Sequence, residues 1–369
     1  MLALDTFPLD DVALVRAPAT GVVAVVDRDA RAILAGLCAG RAVPEIARSH
    51  ARATGRALST ALAEVAALER CWRALADPPD AGPLPPLPSE PRRPPALDSL
   101  CHLGERPVRL RVWPPGLAHV LAAVTAPCRS PPDATGGRAP EITIHRRDGR
   151  YLLAVDEVVC VATADLMFAR SEALRRLVLA AHPTRAWLAV LHGAGVAGAT
   201  GAALLCGWSG AGKSTLTGLL VASGLALVTD DYAPIEADSG SLWPIPFGLS
   251  VKEGSWPILA PHFPALSRAP LVRTRGRRQR YLTPPLVATE PQPVRCLVFP
   301  RYEPGARLEL LPLRPGESLQ LCARSGGWYE SSPERLAELV AWLGTRPAYA
   351  LSYGDGAAAV AAVHRLLAG

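Results

Sequence analysis

One stretch limits the fold of this chain more than any other. Gly207-Trp208-Ser209-Gly210-Ala211-Gly212-Lys213-Ser214 fits the pattern G-x-x-x-x-G-K-[ST], follows the apolar run Ala202 to Cys206, and precedes a helical pattern from Ser214 to Ala222. Strand, glycine turn and helix in that order form an anion cradle. Without side chains, the glycines let successive N–H groups turn inward, and the helix adds the positive end of its dipole. Lys213 then reaches the outer phosphates of ATP as a mobile point charge, and Ser214 is placed to ligate Mg2+. Gly207, Ser209, Gly210, Ala211, Gly212 and Thr215 complete the nucleotide site.

Seventeen residues beyond Lys213 an apolar strand, Leu227 to Thr229, ends in Asp230 and Asp231. Strand ends in α/β sheets face the ligand crevice, so this pair belongs with the phosphates rather than in a surface turn. One carboxylate can hold the metal while its neighbour takes a proton from an attacking hydroxyl. Which does which stays open, because adjacent acids shift each other's proton affinity. His192 follows the strand-like Trp187 to Leu191 and is a candidate for contact with the γ-phosphate.

Composition sharpens the choice of residues. Of 39 basic residues only Lys213 and Lys252 are lysine, and asparagine is absent. Arginine replaces lysine wherever surface charge alone matters, but not where a compact ammonium is required, so Lys252 becomes a functional candidate before any motif is considered. The net charge of +6 is spread thinly and points to neither nucleic acid nor an anionic membrane. The eight cysteines include no C-x-x-C pair, so neither a zinc site nor a disulfide framework is expected. No run of eighteen apolar residues occurs and the first residues are acidic, which suggests a cytoplasmic protein.

Three regions are expected. Residues 1–75 read as a small β-plus-three-helix unit, with strands at Val12 to Val15 and Val22 to Val26. Helical faces follow through Ile33, Leu34 and Leu37, after Pro44, and through Leu58, Leu62, Val65 and Leu68. Residues 76–99 hold nine prolines and read as a stiff linker. Residues 100–369 alternate strand and helix as an α/β domain, with strands expected at 108–112, 141–145 and 151–161 and a helix at 166–181. His145-Arg146-Arg147-Asp148 reads as a strand entering a turn at Asp148-Gly149. Arg273 to Arg280 is a basic cluster, within which Arg278 and Arg280 are candidates for gripping substrate.

The segment 190–255 resembles the HPr kinase/phosphorylase family, whose P-loop kinase core is similar to phosphoenolpyruvate carboxykinase. The family's histidine, glycine loop and aspartate pair fall on His192, Gly207 to Ser214, and Asp230 with Asp231. Pro244 to Trp256, Tyr281 to Pro285, Val298 to Tyr302 and Leu351 to Asp355 resemble HPr-kinase-related kinases found beside peptide-modification genes. The resemblance implies active-site roles for Lys252 and Ser255. The glycine- and isoleucine-rich signature that follows the acid pair in true HPr kinases is missing, which argues against HPr as acceptor and against the reverse reaction. It also implies that the chain can assemble with copies of itself.

The first 75 residues resemble PqqD-like, winged-helix-like peptide-recognition domains, through Val25-Val26-Asp27, the helix through Ile33 and Leu37, Gly40 to Ile46, and the helix from Leu58. Such domains capture a leader peptide as an added strand. Together these features lead us to expect a kinase for a Ser/Thr hydroxyl of a ribosomally made precursor peptide or small protein. Two rivals are a small-molecule kinase and an ATP-responsive DNA-binding regulator using Arg48, Arg52 and Arg56.

Overall fold

The run Val12-Ala13-Leu14-Val15 has no polar position, as a strand covered on both faces requires. In a computed structural model, which describes residues 3–77, 83–89, 93–131, 139–208, 210–274 and 276–368, it is the middle of three antiparallel strands. They are β1 (Asp5–Leu9), β2 (Val12–Arg16) and β3 (Val23–Asp27). The strand β1 was not among the expected strands; it carries Pro8 and lies at the sheet edge, where a missing N–H is tolerated. Helices α1 (Arg28–Cys38), α2 (Val43–Thr54) and α3 (Leu58–Ala76) follow. The Asp27 carboxylate caps α1 by accepting from Ala30 N at 2.8 Å. Ile33, Leu34 and Leu37 are buried as their spacing predicts, but Leu58 turns to solvent, and Ala61, Val65 and Trp72 supply the inward face of α3.

Ala13 and Val15 face these helices, whereas Val12 and Leu14 join a core with Leu319, Leu339 and Leu343 from far along the chain. The unit is therefore seated on the rest of the protein.

The strand β4 (Leu97–His102) begins inside the segment expected to be linker, and no helix or strand occurs in 83–89. It opens a lobe made of β5 (Pro107–Val112), α4 (Pro115–Val124), β6 (Arg129–Ser130), β7 (Glu141–Arg147), β8 (Arg150–Val155), β9 (Val158–Thr163) and α5 (Leu166–Ala181). The six strands run in the order β6-β4-β5-β7-β8-β9. The expected single strand at 151–161 is two. The chain turns at Asp156 and Glu157, both at positive φ (46° and 70°), a hairpin that carries no glycine to mark it. The turn at Asp148-Gly149 lies where it was expected.

The second lobe contains β10 (Trp187–Leu191), β11 (Gly193–Gly198), β12 (Gly201–Cys206), α6 (Lys213–Ala222), β13 (Ala226–Thr229), β14 (Ala233–Glu236) and β15 (Ser241–Leu242). It continues through β16 (Leu249–Lys252), α7 (Trp256–Leu259), β17 (Leu271–Thr274), β18 (Arg277–Leu282), β19 (Gln292–Tyr302) and β20 (Glu309–Pro312). It closes with α8 (Pro315–Ser325), β21 (Gly327–Tyr329), α9 (Pro333–Gly344), β22 (Ala348–Tyr353) and α10 (Gly356–Ala368). Its main sheet is mixed, with β12, β19 and β22 parallel at the centre. A separate antiparallel sheet, β16-β18-β17, bridges the lobes: Val272 and Tyr281 join the first lobe's core, and Leu249, Val251 and Leu282 the core beside α6. The chain is thus a mixed α/β protein, and among the described residues no helix is long and apolar enough to cross a membrane.

Candidate functional site

The parallel strand β12 delivers Gly207 to the edge of the main sheet, and α6 departs from Lys213. Between them Gly210 and Gly212 stand at φ 103° and 89°, in the left-handed region that favours glycine. At Gly212 a Cβ would also lie 2.7 Å from the Tyr353 hydroxyl. That hydroxyl donates to Gly212 O at 3.3 Å, and Tyr302 N donates to Ala211 O at 3.1 Å, so two tyrosines brace the loop. Ser209, expected in the cradle, lies outside the described residues. Ser214 and Thr215 line the cavity with Lys213, and Thr215 Oγ1 is 2.5 Å from Ser255 Oγ.

The strand β13 ends at Thr229, and the two acids occupy different environments. Asp230 is 1% exposed; its Oδ2 accepts from Ser250 N at 2.8 Å, while Oδ1 has no hydrogen-bond partner. Asp231 lines the cavity at φ 66°, a strained backbone for a non-glycine residue, and its Oδ2 accepts from Arg170 Nη2 at 3.1 Å. Lys213 Nζ lies 4.0 Å from Asp230 Oδ1 and 3.9 Å from Asp231 Oδ1.

Burial and then the neighbouring Asp231 charge push the Asp230 carboxyl up to about 6. Burial acts on Asp231 too, but Arg170, Lys213 and His192 outweigh it and hold that carboxyl well below the usual range. The pair is split into one acid that stays ionised and one that readily takes a proton. An orphaned buried carboxylate oxygen next to a second acid fits a hard cation. Among the described residues no three His, Cys, Asp or Glu side chains form a metal-sized group, so magnesium here would rest on these oxygens, phosphate and water.

His192 Nδ1 lies 3.2 Å from Asp231 O and 3.9 Å from its Oδ1. Burial lowers its pKa, so the ring is neutral at pH 7. The backbone of His192 is fixed from the opposite side, N donating to Gly326 O at 3.0 Å.

Lys252 and Ser255 both line the cavity, as expected; Arg278 and Arg280 do not. In β18 the side chains alternate, so Arg277, Gln279 and Tyr281 face the cavity, while Arg278 and Arg280 lie over the Trp256 ring at 5.3 and 5.1 Å on the other face. Arg278 and Arg280 stand one residue out of phase with the cavity-facing side of β18.

Arg170 is the main residue that reading along the sequence missed. It comes from the other lobe and donates to both Asp231 and the Tyr281 hydroxyl, at 3.1 and 3.3 Å. That hydroxyl in turn accepts from Gln279 Nε2 at 2.8 Å. A signal did exist: in α5 the buried stripe Ala169, Ala173, Leu174, Leu177, Val178 and Ala181 contains one charged member, Arg170.

Arg170, His192, Lys213 and Asp231, but not Asp230, line a cavity of about 900 Å³ together with residues of the glycine loop and of the β16-β18-β17 sheet. Amides at a helix start, an ammonium and a divided acid pair can together hold a polyphosphate and remove a proton from a nearby hydroxyl. A scan of the chain against protein-family models finds no match, and a search of curated proteins finds none either.

Proposed function

We propose that this chain is an ATP- and Mg2+-dependent kinase, HPr-kinase-like in its core, that phosphorylates a Ser/Thr hydroxyl of a ribosomally made peptide or small protein. The observation that carries the reading is the placement of Asp230 and Asp231 within 4.0 Å of the Lys213 ammonium, at the mouth of a glycine loop that opens a helix. ATP supplies the transferable phosphoryl group, and magnesium offsets its charge. The loop amides and Lys213 hold the phosphates, Ser214 and one acid of the pair face the metal position, and the other acid accepts the hydroxyl proton. His192, neutral and held against Asp231, orients that acid. The three-stranded sheet followed by three helices suits PqqD-like leader capture along the free edge of β3.

The test is phosphate transfer from labelled ATP to a precursor peptide with and without its leader. Asp230→Ala and Asp231→Ala should each lower transfer by about 10²-fold or more while retaining ATP binding; undiminished transfer in both would discard the mechanism. Equal kcat/KM for leader-bearing and leaderless acceptors would remove the recruitment role, and transfer only to a metabolite would replace the peptide acceptor.

A further inference from the structure

Phosphate binding accounts for only part of the cavity. Among the described residues ten large hydrophobic side chains are exposed, and three of them, Trp208, Ile258 and Tyr302, line this one cavity at 49, 43 and 43% exposure. Phosphate and metal have no use for such surface, whereas a flat and largely apolar ligand does.

This surface lies along α6, past the glycine loop. Thr215 and Leu219 are about one helical turn apart and both line the cavity, so the cavity follows that helix beyond its start at Lys213. The turn from β22 to α10 closes against the same helix: a Cβ on Gly356 would lie 2.6 Å from Leu219 Cδ1. Tyr302 is set against the loop, since a Cβ on Gly212 would lie 2.8 Å from the Tyr302 Cβ, and its ring meets that of Tyr353 edge-on at 5.6 Å. Trp208 belongs to the loop itself, its carbonyl accepting from Ala211 N at 3.2 Å.

Polar side chains in this part of the cavity are engaged by the fold. The Thr215 and Ser255 hydroxyls bond each other, and the Tyr353 hydroxyl donates to Gly212 O. The Asp355 carboxylate caps α10 by accepting from Ala357 N and Ala358 N at 3.0 and 3.3 Å. Aromatic and aliphatic surface of this kind grips a base by its face and is indifferent to its edge.

Building on the nucleotide part of the kinase reading, we propose that this end of the cavity holds the purine base of the nucleoside triphosphate, stacked on the Trp208 indole. Recognition by the face makes ATP and GTP comparable ligands.

The test measures equilibrium binding of the magnesium complexes of ATP, GTP and ribose 5-triphosphate to the full chain, with no acceptor present. ATP and GTP should bind within about fivefold of each other, and each at least tenfold more tightly than ribose 5-triphosphate. Trp208→Ala should remove most of that advantage and Trp208→Phe should keep most of it, while affinity for ribose 5-triphosphate changes by less than twofold in both. An ATP advantage untouched by Trp208→Ala, or a gap between ATP and GTP above fivefold, would overturn the proposal. An equal loss for ATP and ribose 5-triphosphate would assign Trp208 to the shape of the loop and overturn it as well. Ribose 5-triphosphate binding as tightly as ATP would remove the base site and leave the kinase reading intact. The expected binding pattern without phosphate transfer to any acceptor would sink the kinase reading and leave the base site standing.

Discussion

At the residue scale, Arg170 does most to separate the two acids. It is 7% exposed and spends one nitrogen on Asp231 and on the hydroxyl of Tyr281, so the ionised form of Asp231 is built into the fold before any ligand arrives. Removing the guanidinium leaves a half-buried carboxylate without its cation, and its proton affinity rises. On the proposed kinase reading, Arg170→Met is expected to slow transfer on the order of 10²-fold, with KM for ATP little changed, and Arg170→Lys should restore part of the rate. A fall in ATP affinity matching the fall in rate would mean that the residue serves the nucleotide instead. Lys252, singled out by its survival in a chain rich in arginine, does reach the cavity. Burial lowers its pKa first, and Lys213 and Arg277 add to the effect.

At the scale of elements, strand phase and helix ends decide what the residues can do. The alternation of β18 puts Arg277 where Arg278 was expected, and one residue is the whole difference between cavity and opposite face. At the other end of the lobe boundary, α5 stops at Ala181 and the next residue, His182, is buried edge-on against Trp187 and Trp243, with ring centroids 5.6 and 5.7 Å away. The turn after β4 closes on this ring so tightly that a Cβ on Gly104 would lie 1.8 Å from its Cε1. Burial lowers the His182 pKa in the folded state. Below about pH 6.5, the ordinary value, the unfolded chain therefore takes up a proton that the folded chain refuses, and stability falls as pH drops. Urea unfolding followed from pH 7.5 to pH 5 should show this loss. His182→Leu should flatten the slope whatever its effect at pH 7.5, and an unchanged slope would count against this origin.

At the scale of the whole molecule, the N-terminal unit is part of the structure rather than a bead on a string. Its β2 strand buries Leu14 against Leu319 and Leu339, Asp10 accepts from Gly316 N at 2.8 Å, and Arg314 pairs with Asp11 at 2.8 Å. The exposed ion pair adds little; the apolar contact carries the seat. Calorimetry should therefore record one cooperative transition, and Leu14→Ala should destabilise it by about 2–5 kcal/mol. Two resolved transitions, with Leu14→Ala moving only one, would contradict this. The same helix that seats the sheet, α8, runs on to Gly326, whose carbonyl holds the His192 backbone. What the sequence by itself determined was local: the glycine loop between strand and helix, the paired acids after a strand and the three N-terminal helices. Each of these depends on spacing over a few residues, which backbone geometry converts directly into structure. What only the tertiary structure decided was long-range. The strand β1 exists because an edge tolerates Pro8, and the hairpin at Asp156-Glu157 forms without a glycine. Arg170 reaches Asp231 from 61 residues away, and the proline-rich stretch ends in a strand. Burial and pairing between distant segments set these outcomes, and neither is written into any short run of residues.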